Sequence, residues 1–146
     1  MGQLEASATV RWKGFGGTVE GASGKLHAPT ATQVELGGPG TGTNPEELLA
    51  AAHANCYTST LTSMARSRKV DLESVETSAR TRLEWGEGAD HHLASSRLVV
   101  RISSSSPEDV VRELVRRAEH ECPVCLAIRG NVDMTVDFEF EPVQAR

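Results

Sequence analysis

The sequence predicts a single α+β domain spanning residues 1–146. Segments that alternate polar and apolar residues occur in groups at the start, in the middle and at the end of the chain. Between these groups lie two stretches with apolar residues at helical spacing, each opened by residues that favour a helix start. The order is therefore strands, helix, strands, helix, strand.

Residues 6–13 alternate loosely and read as the first strand. Residues 18–28 and 32–36 supply two more, interrupted at Ser23-Gly24 and at His27-Ala28-Pro29, so the opening third predicts a small antiparallel sheet. The glycine density of residues 37–42 then predicts a loop. Asn44 is a good N-cap, Pro45 suits the first helical position, and Glu47 stands three residues beyond the cap. The first helix runs to about Met64 and ends at Ser67-Arg68-Lys69. Its expected buried face carries Leu49, Ala52, Cys56, Thr60 and Met64.

Residues 74–85 and 93–103 read as two long strands joined by a hairpin connection at residues 86–90. Ser106-Pro107-Glu108-Asp109 opens the second helix, whose apolar face is Val111, Leu114, Val115, Ala118 and Cys122. Pro123 disfavours helical geometry at Cys122 and removes a backbone donor, which predicts a break there. Residues 134–140 alternate again and give the final strand.

Composition narrows the function classes. A net charge of −5 argues against a nucleic-acid surface. No stretch approaches the roughly 20 apolar residues of a membrane span, and the first residues lack the basic and apolar regions of a secretory signal. The Met-Gly start carries little else of a myristoylation signal. Three cysteines, an odd number, make a poor disulfide framework and fit a reducing cytoplasm, where such residues serve as core, redox or metal positions.

Cys56 and Cys122 occupy comparable places, each on the apolar face of one helix. If both helices pack on the same sheet, the thiols can meet. A thiolate could then attack a peroxide, become a sulfenic acid and condense with the second thiol; the plainer reading is two core cysteines. A reactive thiol needs a cation nearby, and His53 and Arg11 are candidates beside their ordinary roles as core histidine and surface charge. Glu46 lies closer to the Cys56 side of the helix than Glu47. The 10 residues between Glu46 and Cys56 nevertheless span on the order of 15 Å, so a joint role would require a second subunit or a bridging group. The ordinary role of both glutamates is favourable first-turn charge. Cys122-Pro123-Val124-Cys125 has the CxxC spacing of dithiol oxidoreductases and of half a zinc site. No second half of a zinc pattern accompanies it, and its place late in a helix differs from the thioredoxin setting.

The run Gly42-Thr43-Asn44-Pro45-Glu46-Glu47-Leu48-Leu49-Ala50-Ala51-Ala52-His53-Ala54-Asn55-Cys56 resembles the signature segment of the OsmC/Ohr family, the osmotically inducible and organic-hydroperoxide-resistance proteins. Ala118-Glu119-His120-Glu121-Cys122-Pro123-Val124 resembles that family's second cysteine motif. The resemblance covers nearly the whole chain and is nearer to the OsmC branch. It implies an OsmC-like fold, with antiparallel sheets packed around two main helices, in an intertwined homodimer with active sites at the interface. It further implies a thiol peroxidase of the oxidative stress response, acting on organic hydroperoxides. Cys56 would be peroxidatic, Cys122 resolving, and Glu46 would orient an activating arginine, that pair coming from the partner subunit. A dithiol such as a lipoyl group would serve as reductant, with no metal or cofactor.

Two departures stand out. Residues 15–42 contain no arginine, only Lys25, and Ala31-Thr32-Gln33-Val34-Glu35 stands where an OsmC protein would carry it. Cys125 replaces a residue that is commonly serine in OsmC relatives, which leaves it open to pair or exchange with Cys122. The sequence therefore also admits an OsmC-like binding or redox-sensing protein without significant turnover.

Overall fold

The computed structural model describes residues 1–87 and 90–146. The connection expected at residues 86–90 includes Gly88 and Ala89, which lie outside the described residues. The chain divides into two compact units, Met1–Leu48 and Leu49–Arg146.

The first unit holds an antiparallel sheet of β1 (Ala8–Lys13), β2 (Gly16–Gly21) and β3 (His27–Ala31), in that order. Gly14, at φ +66°, supplies the positive dihedral that the two-residue turn between β1 and β2 requires. Two sequence expectations change here. The strand expected at 18–28 ends at Gly21, where the chain turns back with Gly21 N–H bonded to Leu26 O at 2.9 Å. His27-Ala28-Pro29, read as an interruption, belongs to β3. Pro29 is tolerated because its carbonyl faces the outer edge, accepting Thr43 N–H at 2.9 Å, so its missing N–H costs the β2 ladder nothing.

The strand expected at 32–36 is instead a 3₁₀ turn, Val34–Leu36. Gln33 O accepts from both Leu36 and Gly38 N–H, and Gly37 at φ +81° closes the turn. Local backbone bonds thus satisfy groups that a strand would have left for a ladder.

The unit boundary falls within α1 (Pro45–Arg68). Asn44 caps it as expected, its Oδ1 accepting Glu47 N–H at 2.8 Å. The Glu47 carboxylate accepts from the Thr43 hydroxyl, one residue before the cap. At the other end Lys69 takes φ +56°. Its N–H points to Arg66 O at 3.4 Å, and Val70 N–H bonds Ala65 O at 3.0 Å. This is the paired closure of a left-handed helix C-terminus, made without the usual glycine.

In the second unit β4 (Ser74–Glu84), β5 (His92–Ser104) and β6 (Asp133–Pro142) form a sheet in chain order. β4 and β5 pair antiparallel, while β5 and β6 pair parallel. That parallel pairing departs from the expectation of antiparallel sheets. Parallel neighbours need a crossover, and α2 (Glu108–Glu121) with α3 (Pro123–Ile128) provides it. One sheet face is apolar, with Leu98, Val100 and Ile102 of β5 buried at its centre. The other carries ion pairs such as Arg101 with Glu76 at 2.8 Å and with Glu139 at 2.6 Å, exposed contacts that add little stability. Tyr57 and Leu61 of α1 and Val111, Leu114 and Ala118 of α2 complete the core. Leu61, Val111 and Leu114 each contribute on the order of 1.5–3 kcal/mol by leaving water.

Among the described residues, no helix is long and apolar enough to cross a membrane.

Candidate active site

Within α1 the buried stripe is His53, Tyr57, Leu61, Met64 and Ala65. The expected face is therefore displaced: Ala52 is exposed, and Cys56 and Thr60 are only partly buried. Alanine, serine and threonine fill much of this helix, so polarity barely distinguishes its sides, and the large side chains settle which side is covered. Tyr57 anchors the stripe by donating its hydroxyl to Val115 O of α2 at 3.0 Å. Cys56 consequently sits on the flank of the core rather than at its centre.

The expected break falls at Cys122, which leaves helical geometry at φ −65°, ψ 118°. Its N–H closes α2 on Ala118 O at 2.9 Å, while its side chain begins α3 by accepting from Cys125 N–H at 3.5 Å. The CxxC segment therefore does open a short helix, one that follows another helix rather than a strand. Cys122 and Cys125 are both fully buried.

These elements bring the thiols together. The Cys56 sulfur interacts with the Cys122 thiol, the backbone N–H of Val124 and the hydroxyl of Thr60. Burial pushes the Cys56 thiol up from its ordinary value, and the neighbouring Cys122 adds to this; the Val124 N–H and Thr60 hydroxyl pull the other way. Cys122 also interacts with Cys125, whose thiol is pushed up to about 12, chiefly by burial. Cys122 is thus the middle sulfur of three.

Cys125 continues the chain of contacts. Its Sγ lies 3.2 Å from His53 Nε2, and His53 Nδ1 lies 2.7 Å from Ser96 Oγ. His53 and Ser96 are fully buried, and burial lowers the histidine's proton affinity, leaving the ring neutral at neutral pH. His53, considered from sequence as a cation for Cys56, is occupied on both nitrogens by Ser96 and Cys125. Ser96 went unremarked in the sequence, although a signal existed. It is the polar member of the inward-facing positions 96, 98, 100 and 102 of β5.

The other named residues lie in the first unit. The Glu46 carboxylate accepts from the Gln33 side-chain amide. Arg11 donates to Glu20 at 2.8 Å, with both side chains exposed. Among the described residues, no group of three or more His, Cys, Asp or Glu side chains converges as a metal site.

The same arrangement of elements recurs in known proteins. The family model described as OsmC-like protein matches residues 38–137. Bacillus subtilis YmaD, itself uncharacterized, is 31% identical over 125 residues, covering 83% of this chain and 82% of YmaD. The organic hydroperoxide resistance protein OhrA of B. subtilis is 30% identical over 128 residues, covering 82% and 89%. The solved structure of an organic hydroperoxide resistance protein OsmC from Legionella pneumophila superposes with a TM-score of 0.83 at 32% identity, covering 95% of this chain and 99% of that one. The family match takes in both the α1 cysteine and the cysteines at the break between α2 and α3, and on these grounds the chain belongs to the OsmC-like family.

Proposed function

We propose that this protein is a thiol peroxidase that reduces organic hydroperoxides to alcohols, with Cys56 peroxidatic and Cys122 resolving. The observation that carries the reading is the contact of these two thiols across 66 positions of sequence, with Cys56 the more exposed of the pair. The Cys56 thiolate attacks the terminal peroxide oxygen, the O–O bond breaks, and the alkoxide leaves as the alcohol, taking up the proton that the Cys56 thiol gave up. The resulting sulfenic acid is attacked by Cys122; the S–O bond breaks, water leaves and a disulfide forms. A dithiol such as a lipoyl group returns the two electrons. Three unpaired thiols suit the reducing cytoplasm in which such a reductant is found.

A homodimer with active sites at its interface belongs to this proposal. β1 is exposed along its whole length, and Val10, Trp12 and Phe15 of the first hairpin are 56%, 49% and 65% exposed. A second copy would cover that apolar surface and would bring its Glu46 to the thiol. In this chain Glu46 is held by the neutral amide of Gln33 rather than by an arginine.

One observation favours a second reading. Among the described residues, none of the groups beside the Cys56 thiol is a cation, and burial disfavours its thiolate. On that reading the protein binds a ligand or senses oxidants without significant turnover. Steady-state reduction of cumene hydroperoxide with dihydrolipoamide separates the two. Turnover that vanishes in Cys56→Ser supports the peroxidase. Wild-type rates no higher than those of the folded, reduced variant would leave only binding or sensing.

A further inference from the structure

The peroxidase cycle uses Cys56 and Cys122 and leaves a buried thiol–imidazole pair idle. Cys125 is fully buried, touches Cys122 on one side and His53 on the other, and is the third sulfur in a continuous row. The row has a definite order. Cys122 neighbours both other thiols, and its side chain reaches back over the first turn of α3 to the Cys125 amide. Cys122 is thus the one sulfur beside both Cys56 and Cys125.

We propose that Cys125 is a second resolving thiol, which takes Cys122 from the Cys56–Cys122 disulfide and returns Cys56 to the thiol state, with His53 accepting the Cys125 proton. The inference deepens the peroxidase reading and rests on it only for how the oxidising equivalent enters.

The exchange balances without an external oxidant or reductant. The Cys125 S–H bond breaks and its proton passes to His53 Nε2. The Cys125 sulfur forms a bond to Cys122 Sγ as the Cys56–Cys122 bond breaks, and Cys56 departs as a thiolate. Cys56 then takes up a proton, and His53 releases one. One disulfide is present before and after.

Three features set the direction of attack. Exchange runs fastest when the departing thiolate is the better stabilised one. Cys56 has the Val124 N–H to hold its charge, with the Thr60 hydroxyl, which donates to Cys56 O at 2.9 Å, beside it. Cys125 has neither in that role, so it is the stronger nucleophile once deprotonated, and it requires a base. His53 supplies one: with the proton on Nδ1 donated to Ser96 Oγ, Nε2 is free to receive the thiol proton. His53 thus touches a reacting atom. Its neutral state matters, because an imidazolium there could not accept a proton.

The consequence is a second oxidised form. The exchanged protein holds its disulfide between two fully buried residues and again presents Cys56 as a thiol.

The test maps the disulfide over time. Reduced full-length protein receives one equivalent of cumene hydroperoxide, is quenched in acid, blocked with N-ethylmaleimide and mapped by peptide mass spectrometry. The Cys56–Cys122 bond should form first and give way to Cys122–Cys125, with maleimide on Cys56. Cys125→Ser should stop at the first bond. His53→Gln should leave the first step unchanged and slow the second by about 10²-fold. Persistence of Cys56–Cys122 in the wild type, with maleimide on Cys125, would overturn the proposal, as would a Cys122–Cys125 bond formed equally fast in Cys56→Ser. A parallel arm replaces the hydroperoxide with one equivalent of Ellman's reagent, which oxidises Cys56 without peroxide chemistry. A Cys122–Cys125 end product there, with no disulfide from hydroperoxide, sinks the peroxidase reading and upholds the exchange. An Ellman's arm that ends at Cys56–Cys122 sinks the exchange.

Discussion

His53 Nε2 and Cys125 Sγ, 72 positions apart in sequence, meet at 3.2 Å inside the second unit. Burial drives the two groups in opposite senses, lowering the proton affinity of the imidazole and raising that of the thiol to about 12. The pair is therefore neutral at neutral pH, a thiol facing a ring nitrogen.

Stability should fall in mild acid because His53 is held neutral. Its folded pKa lies below the ordinary 6.5, so below that pH the unfolded chain takes a proton that the folded chain refuses. Stability present above pH 6.5 is then lost as pH falls toward the depressed folded value, by up to about 1.4 kcal/mol per pH unit. The other four histidines are exposed. Urea unfolding at pH 7.5 and 5.5 should show a loss in the wild type that shrinks in His53→Gln. Equal losses would show that the fold does not exclude the proton.

The thiols should differ in reactivity. Native reduced protein treated with excess iodoacetamide at neutral pH should be modified at Cys56 first, slowly, with the rate still climbing at pH 9, because burial raises its pKa above the ordinary 9.0. Fully buried Cys122 and Cys125 should be spared until the chain is unfolded. Modification of Cys125 before Cys56 in native protein would contradict this order of exposure.

Tyr57→Phe removes the hydroxyl that donates to Val115 O while keeping the ring in the core. The expected cost is about 1 kcal/mol, since the carbonyl belongs to α2 and keeps its place in the helix. A lower urea midpoint with an unchanged m-value is the signature to look for. An unaltered midpoint would mean the bond between α1 and α2 contributes nothing net.

Lys69→Gly should stabilise the protein by up to about 1 kcal/mol. Lysine at φ +56° pays the left-handed penalty at the end of α1, and glycine does not. Thermal unfolding checks the sign. Destabilisation would show that the Lys69 side chain gives more than its backbone costs.

Much of the fold was legible because its signals are local. Asn44-Pro45 starts α1, Pro123 forces the break at Cys122, and alternation marks β4 and β6. Each rests on the geometry of a few adjacent residues, and so does the quoted cysteine motif at either end of the site. The signal failed where local sequence is permissive: residues 32–36 have strand-like composition, yet Gly37 and Gly38 let the backbone close on Gln33.

The sequence by itself determined the family signature that carries the candidate residues, and where the helices begin and break. Only the tertiary structure decided which face of α1 is buried, that β6 lies parallel to β5, and that Ser96, His53, Cys125, Cys122 and Cys56 form one connected row. The reason is physical. A helix rich in alanine, serine and threonine has no strong preference of its own, so its orientation is set by where Tyr57 and Leu61 find volume against strands and helices tens of residues away. That same rotation moves Cys56 to the flank and turns His53 inward, away from the role its sequence position suggested and onto Cys125.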